Sequence, residues 1–363
     1  MKQFKKRKLI SIVVVLGIML SLAAGCGSKN DSVDKKSVSL TFMIWDIFQQ
    51  PGMEAMVEAY VKEHPNVSIE VQTVNWDEYW TKLEAAATSN ALPDVFWMHT
   101  NEFMKYATSG KLADLTDLYG DLNYYKDNFP SGLVKNFSYE GKIYGVPKDW
   151  DTIALAYNVD LFDQAGIDYP DETWTWETVI DAAKKIKDKT GMWGFLAPLD
   201  DQSGYLNLVE QAGGYIISED GTEAGFTNPA TKKGIELWIS LQKDYDFSPK
   251  QATFAETDAG SLFGSGQAGM MLLGSWNVAP FLKNYPDLNW NVAVIPKMSD
   301  PVEGDGRGTV YNGLAYSTGA DNKNLDVIKD FLKFLGTEEA MIIQGKSGAA
   351  IPAYNGTAKY WVE

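Results

Sequence analysis

The chain has 363 residues, 13% of them aromatic, and a formal net charge of −16. That acidity excludes a nucleic-acid partner, whose phosphates demand a basic face, and argues against binding anionic lipid headgroups. Two histidines and one cysteine leave no internal disulfide and argue against a transition-metal site, so neither metal nor cofactor is expected.

Lys2, Lys5, Lys6, Arg7 and Lys8 open the chain, Leu9 to Leu22 form an apolar run, and Leu22-Ala23-Ala24-Gly25-Cys26 supplies small residues before the only cysteine. A cationic start, a short apolar core and a small-residue exit make an export signal of residues 1–25. The apolar run falls short of the roughly 20 residues that span a bilayer. Cys26 resembles the lipid-bearing cysteine of bacterial lipoproteins, although Ala23 stands where leucine is usual. Residues 26–37 then read as a lipidated, polar, flexible tether.

Beyond the tether the chain alternates strand and helix. Val38 to Trp45 is an apolar run of β-formers, and Pro51 opens a helix with Met53, Met56, Val57, Tyr60 and Val61 on one stripe. Val67, Ile69 and Val71 alternate with polar residues as a half-buried strand. A helix from about Asp77 to Ser89 and a buried strand over Val95 to Met98 complete a parallel α/β pattern. Further on, Ile153 to Tyr157 reads as a strand, and Thr175 caps a helix that runs to about Lys189 and stops at Gly191. A helix over about Thr231 to Lys243, strands over Met270 to Leu273 and Val292 to Ile295, and an amphipathic helix carrying Leu325, Ile328, Phe331, Leu332 and Leu335 follow. Gly264 to Gly269 spells G-x-G-x-x-G, but it precedes an apolar strand instead of following one, so it is no dinucleotide site.

Four blocks in order give the chain a wider likeness. They are Pro93-Asp94-Val95-Phe96-Trp97-Met98-His99 with Ser109 to Leu115; Gly141 to Pro147 leading to Ala156-Tyr157-Asn158; Gly266 to Met271 with Gly274-Ser275-Trp276; and Asn312-Gly313-Leu314-Ala315-Tyr316. With these the chain resembles the family 1 extracellular solute-binding proteins, the maltose-binding-protein-like sugar receptors of bacterial ABC importers. The resemblance implies a periplasmic-binding-protein-like fold of two α/β lobes joined by a hinge, with the ligand cleft between them. Carried onto this chain, the crossings fall near Val146 to Asp151 and Leu314 to Ala320. The N-lobe is then 38–147 plus 321–345 and the C-lobe 148–320 plus 346–363, with the C-terminal part shorter than is usual in the family.

A sugar offers C–H faces and a rim of hydroxyls, so its site needs flat apolar rings and charged or amide acceptors. Trp45 and Asp46 end the first strand, where open α/β sheets place ligands. The resemblance favours the polar loop after Met98 for hydroxyl contacts, and there Asn101 or Glu102, with His99 a structural hydrogen-bonder. Asp149 and Asp151 share one face of an extended hinge segment and Trp150 the other. Alignment with the family puts Asp151 where an acid contacts sugar, and Trp150 joins it as a candidate. Trp276 follows Gly274-Ser275, small neighbours that leave a ring face open. Tyr205 and Asn312 are further ligand-binding candidates, while Arg307 reads as a solvated loop residue.

The function implied is an extracytoplasmic, lipid-anchored monomer on the outer face of the bacterial cell membrane. It would hand a carbohydrate, in the first instance an oligosaccharide, to the membrane permease subunits of an ABC importer, and it is not an enzyme. Two alternatives stand beside it. A secreted glycoside hydrolase needs two carboxylates flanking one bond, a weak signal among 48 acidic residues. A partner-binding lipoprotein needs only an exposed aromatic surface.

Overall fold

A computed structural model describes residues 37–218, 221–348 and 350–362. The export signal and the tether with its Cys26 lie outside the described residues, apart from Ser37. The chain opens with β1 (Val38–Ile44), α1 (Gln50–Glu63), β2 (Val67–Thr73), α2 (Trp76–Thr88), β3 (Val95–His99) and α3 (Thr100–Thr108). β1 pairs in parallel with both β2 and β3, as the strand–helix alternation predicts. α1 carries Pro51 in its first turn and buries Met53, Met56, Val57 and Tyr60. Asn75 caps α2 by accepting the Glu78 N–H, and Asp77 and Glu78 complement the positive end of that helix. All five residues of β3 are buried, as in a strand covered on both faces.

Next come β4 (Val146–Trp150), β5 (Ile153–Asn158), α4 (Trp176–Thr190), α5 (Leu206–Ala212), α6 (Pro229–Lys243), β6 (Met270–Gly274) and β7 (Trp290–Ala293). β8 (Gly313–Ser317), α7 (Leu325–Leu335), α8 (Glu338–Lys346) and β9 (Ile351–Pro352) follow. Besides a two-stranded hairpin of residues 138–139 and 142–143, the described residues form two larger sheets: a six-stranded one ordered β9-β4-β8-β3-β1-β2 and a three-stranded one ordered β6-β5-β7. Each of these two has its own apolar core. The first gathers Phe42, Trp97, Tyr316 and Phe331, and the second gathers Leu155, Trp176, Trp238 and Met270. Two α/β lobes are therefore joined by strands. Only Asp151 and Thr152 separate β4 in the large sheet from β5 in the small one, and the chain returns through Asn312 into β8.

Three sequence expectations need correction. The strand expected at Val292 to Ile295 lies at Trp290–Ala293, because Trp290 pairs with Asn158; as an edge strand it leaves Val292 outward, 46% exposed, and Val294 lies beyond its end. The polar loop expected after Met98 is the first turn of α3, which starts directly at the end of β3. The segment after Lys346, expected with the second lobe, runs back onto the first. Ile351 and Pro352 pair with Trp150 and Asp149, and Ala353 joins the first core. Their apolar side chains are buried there, and a proline is tolerated because the strand forms the sheet edge.

Candidate functional site

A cleft of about 610 Å³ opens between the two sheets, inside the usual range for small-ligand pockets. The first lobe lines it with Trp45 and Asp46 after β1, Trp76 at the start of α2, His99 at the end of β3, and Asp149 and Trp150 at the end of β4. The second lobe contributes Asp200 to Ser203 and the Ser275 to Asn277 turn after β6. Strand ends and helix starts thus converge, which is where open α/β sheets hold ligands.

The apolar wall is a cluster of aromatic rings packed edge to face. Trp45 meets Trp76, Tyr79 and Trp97 edge-on, with ring centroids 5.1, 4.9 and 5.0 Å apart. Tyr79 and Trp97 are fully buried and Trp76 is 45% exposed, so the inner rings fix the outer one. On the second lobe, a Cβ placed on Gly274 would stand 2.1 Å from the Trp276 ring. Glycine alone lets that indole lie back over the strand.

The polar floor is built on a buried cation. Lys148, fully buried, donates to Gln49 Oε1 at 2.6 Å, pairs with the Asp149 carboxylate, and lies 4.2 Å from the centroid of the Trp97 ring. Burial pushes its ammonium down and Asp149 pushes back. With its oxygen engaged, the Gln49 amide gives its N–H to Asp46 at 3.0 Å, and Asp46 also accepts the Phe48 N–H at 2.8 Å. Asp149 accepts the Leu314 N–H at 3.0 Å. One lysine therefore orients three cleft groups. His99 is held at about 4 by burial, hence neutral at physiological pH, and its Nδ1 accepts the Asn101 N–H at 3.1 Å. Burial raises Asp151 to about 6 despite the donors it accepts from Asn312 and Gln202.

Of the candidates named from the sequence, Trp45, Asp46, Trp150, Asp151 and Trp276 line the cleft. Asn101 and Glu102 do not, because α3 starts before them: Asn101 faces solvent and Glu102 sits in the first turn. Tyr205 packs against the second core. Asn312 is a buried hinge residue bonded through its backbone to Asp151. Sequence reasoning missed Trp76, Gln49 and the Asp200 to Ser203 run. Trp76 could have been found by applying the strand-end rule to β2, since α2 begins three residues beyond that strand. Nothing local marks Gln49, whose role depends on a lysine distant in sequence.

Residues 55–359 match the family described as bacterial extracellular solute-binding protein. The chain belongs to this family, whose members bind solutes and are not enzymes. It is 24% identical to the diacetylchitobiose binding protein DasA of Streptomyces coelicolor, over 96% of this chain and 82% of that protein. It is 28% identical to the galactooligosaccharide-binding protein of Bacillus subtilis, over 99% of this chain and 83% of the relative. Among solved structures it resembles the ABC substrate-binding protein Lmo0181 of Listeria monocytogenes in complex with cycloalternan. That pair has a TM-score of 0.80 and 26% identity, and covers 90% of this chain and 83% of the other.

Proposed function

We propose that this protein is the carbohydrate receptor of an ATP-driven importer, and that an oligosaccharide binds in the cleft between the lobes. The observation that carries the reading is the pairing, across one cleft, of indole faces from both lobes with a floor of oriented carboxylates and amides. Rings of C–H stack on Trp76 and Trp276, and hydroxyls donate to Asp46 and Asp151. The oligosaccharides named for the relatives support the same ligand class. Contacts to both lobes exist together only when the cleft is shut, so the ligand favours the closed form by that difference in affinity. The closed form is what the membrane permease would receive.

The export signal and Cys26 support lipid anchoring to the outer face of the cell membrane, with the protein acting as a monomer. Cys26→Ser should abolish metabolic palmitate labelling and release the protein from the membrane. For the receptor reading, the test is thermal unfolding across a panel of oligosaccharides. A ligand that binds only the folded chain raises the melting temperature, by an amount that grows with its concentration. An upshift with one sugar class supports the reading; a cooperative transition that no sugar moves opposes it.

A further inference from the structure

The cleft also carries a charge pattern. Asp46, Asp149, Asp151, Asp200 and Asp201 line it, and no Lys or Arg does so among the described residues. We infer that the cleft admits uncharged or amine-bearing oligosaccharides and excludes those carrying carboxylate, sulfate or phosphate. This inference rests on the carbohydrate reading of the same cleft and names its ligand more narrowly.

Of the five carboxylates, Asp149 is paired with a cation, Lys148, and that ammonium is fully buried behind the floor. The other four are held by neutral donors. Asp46 accepts from Phe48 and Gln49, and Asp151 from Asn312 and Gln202. Asp200 accepts the Ser203 N–H and Asp201 the Gln202 N–H. Neutral donors orient a carboxylate but leave its charge in place. His99 adds no positive charge at neutral pH, since burial holds it at about 4. Lys283 lies 5.3 Å from the centroid of the Phe48 ring and is not among the lining residues.

Two physical effects then act together. An ionised carboxylate is an acceptor with no donor, so what it faces must donate: a hydroxyl, an amide N–H or an ammonium. A uronate or phosphate group on the ligand would set acceptor against acceptor. It would also bring like charges together in a partly water-excluded cleft, where one such pair lowers affinity by about 30-fold or more.

The test has one arm that needs no ligand. Emission from Trp76 and Trp276 is isolated as the difference between the full chain and its Trp76→Phe/Trp276→Phe variant. Quenching by iodide, acrylamide and caesium is then compared. With each ion scaled to its quenching of free N-acetyltryptophanamide, the pattern predicts caesium quenching at least about threefold stronger than iodide, with the gap narrowed by Asp200→Asn/Asp201→Asn. Iodide quenching equal to caesium overturns the inference. The second arm compares galactobiose with digalacturonate, and N,N′-diacetylchitobiose with chitobiose, by calorimetry. An acidic member that binds as tightly as its neutral partner overturns the inference as well. If no sugar binds while caesium still dominates, the charge pattern stands and the carbohydrate reading fails.

Discussion

Asp151 and Asn312 exchange two hydrogen bonds between the crossing segments. The Asn312 N–H reaches Asp151 Oδ1 at 3.0 Å, and the Asp151 N–H reaches the Asn312 carbonyl at 3.0 Å. The two crossings are therefore tied into one joint. Gln202, on the second lobe, adds its amide to the same carboxylate at 2.9 Å. A residue lining the cleft thus also fastens the two crossing segments together.

The joint has a pH signature. Asp151 sits at about 6 in the fold, against about 3.9 in an unfolded chain. The folded state takes up the proton first, so this group makes stability fall as pH rises between those values. His99, at about 4 in the fold, works the other way against about 6.5 unfolded. The unfolded chain is then protonated first, and stability rises with pH over that window. The two slopes oppose each other between about pH 4 and 6. In Asp151→Asn, stability should climb by about 2 kcal/mol from pH 4.5 to 6; in His99→Gln it should fall by a similar amount. Urea unfolding at pH 4.5, 5.5 and 6.5 measures both, and identical profiles in the two variants would contradict the assignment.

Lys148 is the structural centre of the floor. Lys148→Met strands the buried Asp149 charge and should cost about 3–5 kcal/mol. Lys148→Met/Asp149→Asn removes both charges, keeps an acceptor for the Leu314 N–H, and should regain most of that loss. Equilibrium urea unfolding of the single and double variants decides it. A double variant no more stable than the single one would mean the pair is not the source of the cost.

Gly274 should matter to binding more than to folding. Its φ of −79° suits any residue, so the obstacle to a side chain is the Trp276 ring alone. Gly274→Ala should displace the indole and weaken sugar binding about tenfold while leaving the melting temperature within a few degrees. Titration calorimetry and a thermal melt on the same sample separate the two effects.

Much of this was legible in the sequence because it is local. The stripe on α1, the alternation in β2, and the Thr175 cap and Gly191 stop around α4 each state their own structure. Trp45 and Asp46 were readable as cleft residues because parallel strands end on one side of their sheet, and Trp276 because the small residues Gly274 and Ser275 precede it. What failed depended on register or on distant partners. Asn101 moved out of the site because α3 begins at Thr100, a boundary that polar composition does not reveal. Ile351 and Pro352 joined the first sheet through pairing with residues about 200 positions earlier, which no local pattern encodes. Gln49 took its place through Lys148 for the same reason.

In the proposed complex one sugar lies between the two lobes against Trp276. This placement is tested most directly by calorimetric titration of galactobiose, N,N′-diacetylchitobiose and cycloalternan into the wild-type chain and Trp276→Ala. At least one sugar should bind the wild type saturably and one-to-one, with an affinity lower by tenfold or more, about 1.4 kcal/mol, in the variant. Equal affinity in the two proteins would remove Trp276 from the site, and the absence of binding heat from every sugar would contradict the receptor itself.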